Sequence, residues 1–558
     1  MRSMRCSTAR AAARVLGSIR CTVDRSVPSR HAQHAVLYRP RPPRVSLKRR
    51  METMNELEVP VLIAGGSLVG MSAALLLGHH GIRPMVVERH HRTAIHPRAA
   101  QISQRTMEIF RILGIERMVR EKSGEQFVQD GAIMAVETLA GKEIAHYIAN
   151  LNEGVRDVSP VERVFISQSM LEPLLKSRAE ELGADLRFGA DVISVRQDAD
   201  GVIASVRRRD NGQEYTVRAQ YMIAADGAHS AIREGLEISM RGRGTFSNSI
   251  TIYFRADVSA LLRGRNLSVI YVSNPALRGF FRFEKPFHSG FLAVNAVGDP
   301  SHPITDVSSG LTGPRCLELV HAALGSTDVP VTIENVMHWK AAAETAECFS
   351  NGRIFLAGDA AHVMPPNGGF GGNTGVQDAH NLAWKLALVL HGAAGPELLS
   401  TYDAERRPVA AFTVEQAYAR YVTRTAPYLA AGGMHPMAPD LNVELGYSYD
   451  PTGPLHENPR ESKGRPGTRA PHFRRADGSS TLDLFGRNFV LLAGPEASAW
   501  REPDLEVHRI DDAGFAEAFG IKPGGAALVR PDGFVGWRSG NNEPFAEPLR
   551  SLLFHKKN

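Results

Sequence analysis

The first continuous apolar run is VPVLIA at 59–64, with no polar position, as expected of a parallel strand buried on both faces. A glycine-bearing turn at 65–70 follows, then a helical stretch at 71–80 ended by Gly81. Residues 84–88, PMVVE, form a second apolar run. Strand, turn, helix and strand close within about 30 residues, the span of a dinucleotide-binding βαβ unit. Helical patterns recur at 104–119 and 167–182. From about 186 the chain alternates apolar and polar positions, broken by Asp-Gly and Asn-Gly pairs, which predicts hairpins. Further strands are expected at 248–256, 269–273, 279–283 and 290–297, a sheet roofing a pocket. A short buried strand at 352–357 and a long helix at 374–391 follow.

Residues 425–470 interrupt the pattern with repeated Pro and Gly and read as a linker or irregular wrap. Residues 471–558 then predict a small α/β unit, with strands in FGRNFVLLAG and EVHRI and a hairpin turning on Asp532-Gly533. The apolar stretch 61–78 approaches membrane-span length. However, Gly65, Gly66, Ser67 and Gly70 lie inside it, and strand, turn and buried helix explain it better than an integral membrane segment.

The 558 residues are too many for one core. The net charge of +6 belongs to a tail: residues 1–50 hold 13 Lys/Arg against Asp24 alone, leaving 52 Lys/Arg and 58 Asp/Glu in 51–558. A mildly acidic body gives no sign of nucleic-acid binding. The Arg-rich tail resembles a mitochondrial transit peptide, but RPRPPR cannot continue a helix. It reads as a disordered extension at 1–54, or as an upstream start before Met51 or Met54. Cytoplasm is the expected compartment, with the mitochondrion as the alternative. Cys6, Cys21, Cys316 and Cys348 are too scattered for a disulfide framework or a zinc site, and no metal is expected.

Three segments carry chemistry. In Gly65-Gly66-Ser67-Leu68-Val69-Gly70, glycines bring backbone N–H groups close to a pyrophosphate at a helix N-terminus. Ser67 departs from the glycine of the usual fingerprint, and an ordinary tight turn is the plainer reading. Glu88, 23 residues after Gly65, stands where an acid bonds an adenosine ribose, and restores the dinucleotide reading. Gly358-Asp359 sits at a strand end, before a loop with Gly368, Gly369, Gly371, Gly372 and Gly375 that leads to a helix N-terminus able to hold negative charge. The third segment, 224–230, contains Asp226-Gly227 at another strand end, with Arg233 beyond.

These segments, in this order, resemble the FAD-dependent aromatic hydroxylases, especially the phenol hydroxylase and tetracenomycin- and anthracycline-type polyketide hydroxylase branch. The resemblance covers about 55–410, and GGSLVGMSAALLL with HPRAAQISQRTMEIFRILG points to that branch. It implies an α/β fold: a Rossmann-like FAD-binding domain at 55–240 and 340–425, an inserted β-sheet substrate domain at 241–339, and a thioredoxin-like C-terminal domain at 471–558 that lacks CxxC. It assigns Gly65, Gly66, Ser67, Gly70 and Glu88 to the adenosine half of FAD, and gives Arg98 and Gln168 cofactor contacts. Gly358-Asp359 would hold the ribityl chain, with Gly371, Gly372 and Asn373 along the pyrimidine edge. Asp226-Gly227 would serve both FAD and NAD(P)H, since no second nucleotide fingerprint occurs.

The implied activity is NAD(P)H- and O₂-consuming hydroxylation of a small aromatic substrate through a flavin hydroperoxide, in a monomer or homodimer. Residues alone name no catalytic group, and His362 reads as structural. A same-fold oxidase, Baeyer–Villiger or decarboxylating enzyme, or a non-catalytic FAD-binding redox sensor, stays open. A flavin halogenase is set aside because Trp339, Trp384, Trp500 and Trp537 form no Trp-x-Trp motif.

Overall fold

A computed structural model of the chain describes residues 56–95, 101–299, 302–497, 505–539 and 549. The basic tail and its two readings lie outside the described residues. The first sheet is built on the run that opens the sequence pattern. Strand Glu56–Ala64 lies between Glu214–Ala224 and Met85–Glu88, parallel to both, with Ile63 opposite Ile223 and Val86. Asp185–Phe188 extends one side and Ile354–Leu356 the other. Val61, Leu62 and Ile63 are fully buried in the core that this sheet shares with helix Leu68–His79. A hairpin, Ala190–Gln197 with Val202–Arg208, and the short edge strand Ser350–Asn351 complete the eight strands.

The first helix is Leu68–His79, three residues earlier than its apolar pattern suggests, so Gly70 is helical. The pattern at 104–119 is two helices, Gln104–Ile112 and Glu116–Gln126; Gly114, at φ +75°, turns the chain between them. The expected glycine loop is also shorter than read. Helix Phe370–Leu390 starts directly after Gly369 and takes in Gly371, Gly372 and Gly375. A second long helix, Thr401–Arg424, packs beside it and has no counterpart in the sequence reading.

The second sheet has eight strands, centred on Met240–Arg255, Ser289–Val297 and Leu277–Glu284. It also recruits Ala132–Val136 and Glu143–Ile148, from the stretch assigned by sequence to the cofactor domain. One face buries Ile250, Ile252, Phe281 and Leu292 under helix Gly313–Leu324. Alternation sends Thr251, Tyr253, Phe280, Arg282 and Phe291 to the opposite face, toward the first sheet's helices. Residues 425–470 form an irregular wrap with a short helix, Asp440–Glu444. The C-terminal unit is a four-stranded sheet in the order Glu506–Arg509, Val490–Ala493, Ala526–Val529, Val535–Arg538, and its last hairpin turns at Gly533, φ +76°. No described helix is long and apolar enough to cross a membrane.

Candidate functional site

Three parallel strands end together, and each end carries one of the segments singled out above. Ala225 N–H donates to the Ala64 carbonyl (2.8 Å) and Ala357 N–H to the Ala224 carbonyl (2.9 Å). Gly65 follows at φ +98°, and a Cβ there would lie 2.2 Å from the Ala225 oxygen. At Gly70 a Cβ would meet the Gly65 oxygen at 1.9 Å. The glycines are therefore required by close backbone approach, at the head of helix Leu68–His79, whose first-turn N–H groups lack intrahelical acceptors.

Glu88 is held against this turn. Its carboxylate accepts from Gly66 N–H at 2.7 Å and from His90 N–H at 2.8 Å, with the His90 ring 2.5 Å away. Ser67 does not cap the helix. Its hydroxyl donates to Glu172 (2.5 Å), and Gln168 Nε2 donates to both Ser67 and Glu172 at 2.6 Å. Glu172 is buried and also accepts from Ala94 N–H. The serine thus ties the nucleotide turn to helix Gln168–Glu181, a role glycine could not fill. Sequence reading missed Glu172; its only signal is the i,i+4 spacing from Gln168. Arg98 lies outside the described residues.

Asp226 follows the middle strand. One carboxylate oxygen accepts weakly from Ile232 N–H (3.4 Å), and the other is buried without a partner. Burial raises its pKa above the ordinary range. Gly227 sits at φ +91° with open space where a Cβ would be. At the third end, Gly358 (φ +62°) packs under Val69 and donates its N–H to Asp378 at 3.1 Å, while Asp359 is exposed.

Asp378 organises this corner. Fully buried, it also accepts from His362 Nε2 (2.7 Å) and Arg406 Nε (2.8 Å). Against the upward pull of burial, His362 and Arg406 hold its pKa down. His362, itself fully buried, is engaged structurally. Gly375 lets the helix lie against Gly358, since a Cβ would come within 3.0 Å of its Cα. Gly371 and Gly372 are half-buried in the first turn, whose N–H groups lack intrahelical acceptors. Asn373 is used internally. It accepts from Ser103 N–H (2.9 Å) and Thr106 (2.7 Å), and donates to the Gln101 and Gly369 carbonyls. Any flavin contact there belongs to its backbone.

The residues present fit a dinucleotide flavin: a glycine cradle that admits no Cβ, an acid at the second strand end, an orphaned buried oxygen on Asp226, and a 21-residue helix with open N–H groups. Beside this cleft, a cavity of about 500 Å³ is lined by Ile95, Met170, Tyr253, Phe291, Gln126 and Asn335. Met170 lies on the helix that begins at Gln168, and Tyr253 and Phe291 lie on the second sheet, so the cavity spans the two. Among the described residues no cluster of His, Cys, Asp or Glu could hold a metal ion.

The FAD binding domain family model matches 58–417, and that of the aromatic-ring hydroxylase C-terminal region matches 463–555. A 4-methyl-5-nitrocatechol 5-monooxygenase from Burkholderia sp is 52% identical over 88% of this chain and 96% of the relative. The tetracenomycin A2 monooxygenase-dioxygenase of Streptomyces glaucescens is 36% identical over 90% and 97%. A crystal structure of aklavinone-11 hydroxylase with FAD and aklavinone superposes with a TM-score of 0.83 at 34% identity, covering 90% of this chain and 100% of that one. The chain belongs to the family of FAD-binding aromatic-ring hydroxylases.

Proposed function

We propose that this chain is an FAD-dependent monooxygenase that consumes NAD(P)H and O₂ to hydroxylate a phenolic ring. The observation that carries this reading is one juxtaposition: three strand ends and a helix N-terminus built for a dinucleotide, beside a cavity of about 500 Å³ that sets Tyr253 and Phe291 among polar residues such as Gln126, Glu284 and Asn335. Bound FAD supplies the redox chemistry and the activated oxygen. Glu88 would hold the adenosine ribose, Asp359 the ribityl chain, and Asp226 a further polyol or phosphate-side hydroxyl that gives its buried oxygen a partner. The first-turn N–H groups at Gly371 and Gly372 would face developing negative charge on the ring system.

Tyr253, Phe280 and Phe291 present aromatic rings on this sheet face, which would limit water at the transfer site. The 52% identical relative is named for a nitrocatechol, which supports a small nitrophenolic or catecholic substrate. No second nucleotide domain is present among the described residues, so NAD(P)H would use a transient site near Asp226-Gly227. The test is purification with FAD, then NAD(P)H oxidation and product mass across a panel of catechols, nitrophenols and polycyclic phenols. Stimulated NAD(P)H consumption is expected, with a product about 16 mass units heavier where oxygen replaces a ring hydrogen, or with release of nitrite where it enters at a nitro-bearing carbon. NAD(P)H consumption that yields only H₂O₂ for every phenol would favour an oxidase.

A further inference from the structure

Arg282 breaks the rule that buried charge is paired. It is 5% exposed, yet Nε and Nη2 are buried without an acceptor, and no described residue accepts from Nη1. Among the described residues its guanidinium stacks on two rings: the guanidinium carbon lies 4.5 Å from the Phe127 ring centre and 4.2 Å from that of Phe165. Aromatic faces offset part of the cost of burying a cation but provide no hydrogen-bond acceptor. Every other strongly buried arginine at the centre of the fold has a carboxylate, as Arg406 has Asp378 and Arg163 has Glu444.

Its position gives the anomaly meaning. Arg282 stands on the inner face of the second sheet, directly opposite Phe291 on the neighbouring strand. Phe291 lines the cavity beside the flavin cleft, as do Glu284, two residues along the same strand, and Gln126, which precedes the stacked Phe127. Glu284 forms no ion pair with Arg282: its carboxylate accepts from Gln126 (2.7 Å) and Ser289 (3.3 Å) and lines the cavity, as does that of Glu334, which pairs with Arg255. The titratable hydroxyls on this face are Tyr253, which lines the cavity, Tyr271, bonded by Asn367, and Tyr147 at the sheet edge. The segments packed against the arginine present Phe127, Gln129, Phe165 and Ser167, none charged, and Arg163 beyond them is taken by Glu444. Burial lowers the Arg282 pKa, to about 9, so it carries its charge at neutral pH without an ion-pair partner among the described residues.

Resting on the monooxygenase reading, we propose that Arg282 supplies the positive charge that holds the ring hydroxyl of the substrate as phenolate, and so selects phenols acidic enough to ionise in the cavity. In a medium of low dielectric the field of a cation without an ion-pair partner extends past its contact neighbours, so one intervening ring does not cancel it. Ionisation makes the ring electron-rich, which attack by an electrophilic oxygen requires. The proton leaves the substrate hydroxyl to solvent on binding, and Arg282 keeps its own throughout.

The test uses the oxidised FAD holoenzyme without NAD(P)H, so no turnover occurs. 4-Nitrocatechol, whose anion is coloured, is bound and its ionisation followed by absorbance against pH. In the wild type its pKa should fall at least one unit below that of the free probe, a tenfold or greater shift in favour of the anion. Arg282→Met should remove most of that shift, and Arg282→Lys should keep part of it. A purely structural arginine would change melting temperature or flavin retention but leave the pKa of the bound probe where it was. Equal bound pKa values in the wild type and in every variant that retains FAD overturn the proposal, as does an Arg282→Met effect seen only in the flavin spectrum. If the wild type hydroxylates phenols while the variants leave the bound pKa unmoved, only the role of Arg282 fails. If the wild type binds no phenol and consumes no NAD(P)H, the monooxygenase reading fails with it.

Discussion

Two regions of this protein bury charged groups, and they treat them in opposite ways. At the seam between the C-terminal unit and the long helices, every charge is matched. Arg530 meets Glu405 at 2.7 Å and Asp532 at 2.5 Å, and Lys385 meets Glu405 at 2.8 Å. Arg469 and Arg105 share Glu108 at 2.5 and 2.9 Å. At the cleft and cavity, an Asp226 oxygen and the Arg282 guanidinium are buried with no acceptor or donor facing them. Saturated networks are characteristic of structure, because a half-satisfied one is costly. Unmatched groups clustered beside a cavity are characteristic of a site whose partner arrives with the ligand.

The comparison breaks most visibly at the seam. Glu405→Ala leaves Arg530 and Lys385 short of their anion, and removing one partner of a buried pair costs about 3–5 kcal/mol. Denaturant unfolding should show that loss. A change below about 1 kcal/mol would mean the seam is not a structural network. The pH dependence has a definite sign. Burial opposes ionisation of Glu405, but Arg530 and Lys385 outweigh it and hold its pKa well below the usual carboxylate range. The stability this contributes is present above the ordinary value of 4.5 and is lost as pH falls below it.

A steric change in the cleft should come next. Gly70→Val places side-chain atoms where a Cβ already sits 1.9 Å from the Gly65 oxygen. Overpacking of this kind costs about 1–3 kcal/mol, and because it distorts the cradle, FAD affinity should fall roughly 10- to 100-fold. Fluorescence titration of apoprotein with FAD measures it, and unchanged affinity would remove the turn from the site.

Glu88→Ala sharpens the contrast further. It should weaken FAD by about 1–2 kcal/mol, the scale of a hydrogen bond whose partner is left unmatched. Its effect on unfolding of the flavin-free protein should be smaller than that of Glu405→Ala, since Glu88 pairs there with two backbone N–H groups and the largely exposed His90 rather than with buried cations.

The smallest effect concerns Asp226. Its raised pKa means that the folded apoprotein holds a proton the unfolded chain releases just above the ordinary value of 3.8. Apoprotein stability should therefore fall as pH rises through that window, and Asp226→Asn should flatten the slope. An identical slope in the variant would mean that Asp226 is solvated rather than waiting for a partner.

Much of the cofactor half was legible from residues alone. The strand, turn, helix and second strand follow from apolar periodicity, and Glu88 from its spacing, because a βαβ unit is closed within one short stretch of chain. The order of Gly65, Asp226 and Gly358 along the sequence anticipated three strand ends, and parallel register brings those ends together. The lack of cysteine after Cys348 leaves the C-terminal unit no thiol chemistry, whatever its fold.

What the tertiary structure decided are the pairings between distant residues. Ser67 finds Glu172 across 105 positions, Asn373 finds Ser103 across 270, and Arg105 finds the Asp532 carbonyl across 427. Whether Asn373 spends its amide on a ligand or on the fold, and whether Arg282 has a counter-ion, depends on which segments pack against it. A pattern of apolar positions sets which face of a helix or strand is buried, because periodicity is local. It carries no record of which distant group is buried beside it, and at this site that neighbour, present for Asp378 and absent for Arg282, separates scaffold from chemistry.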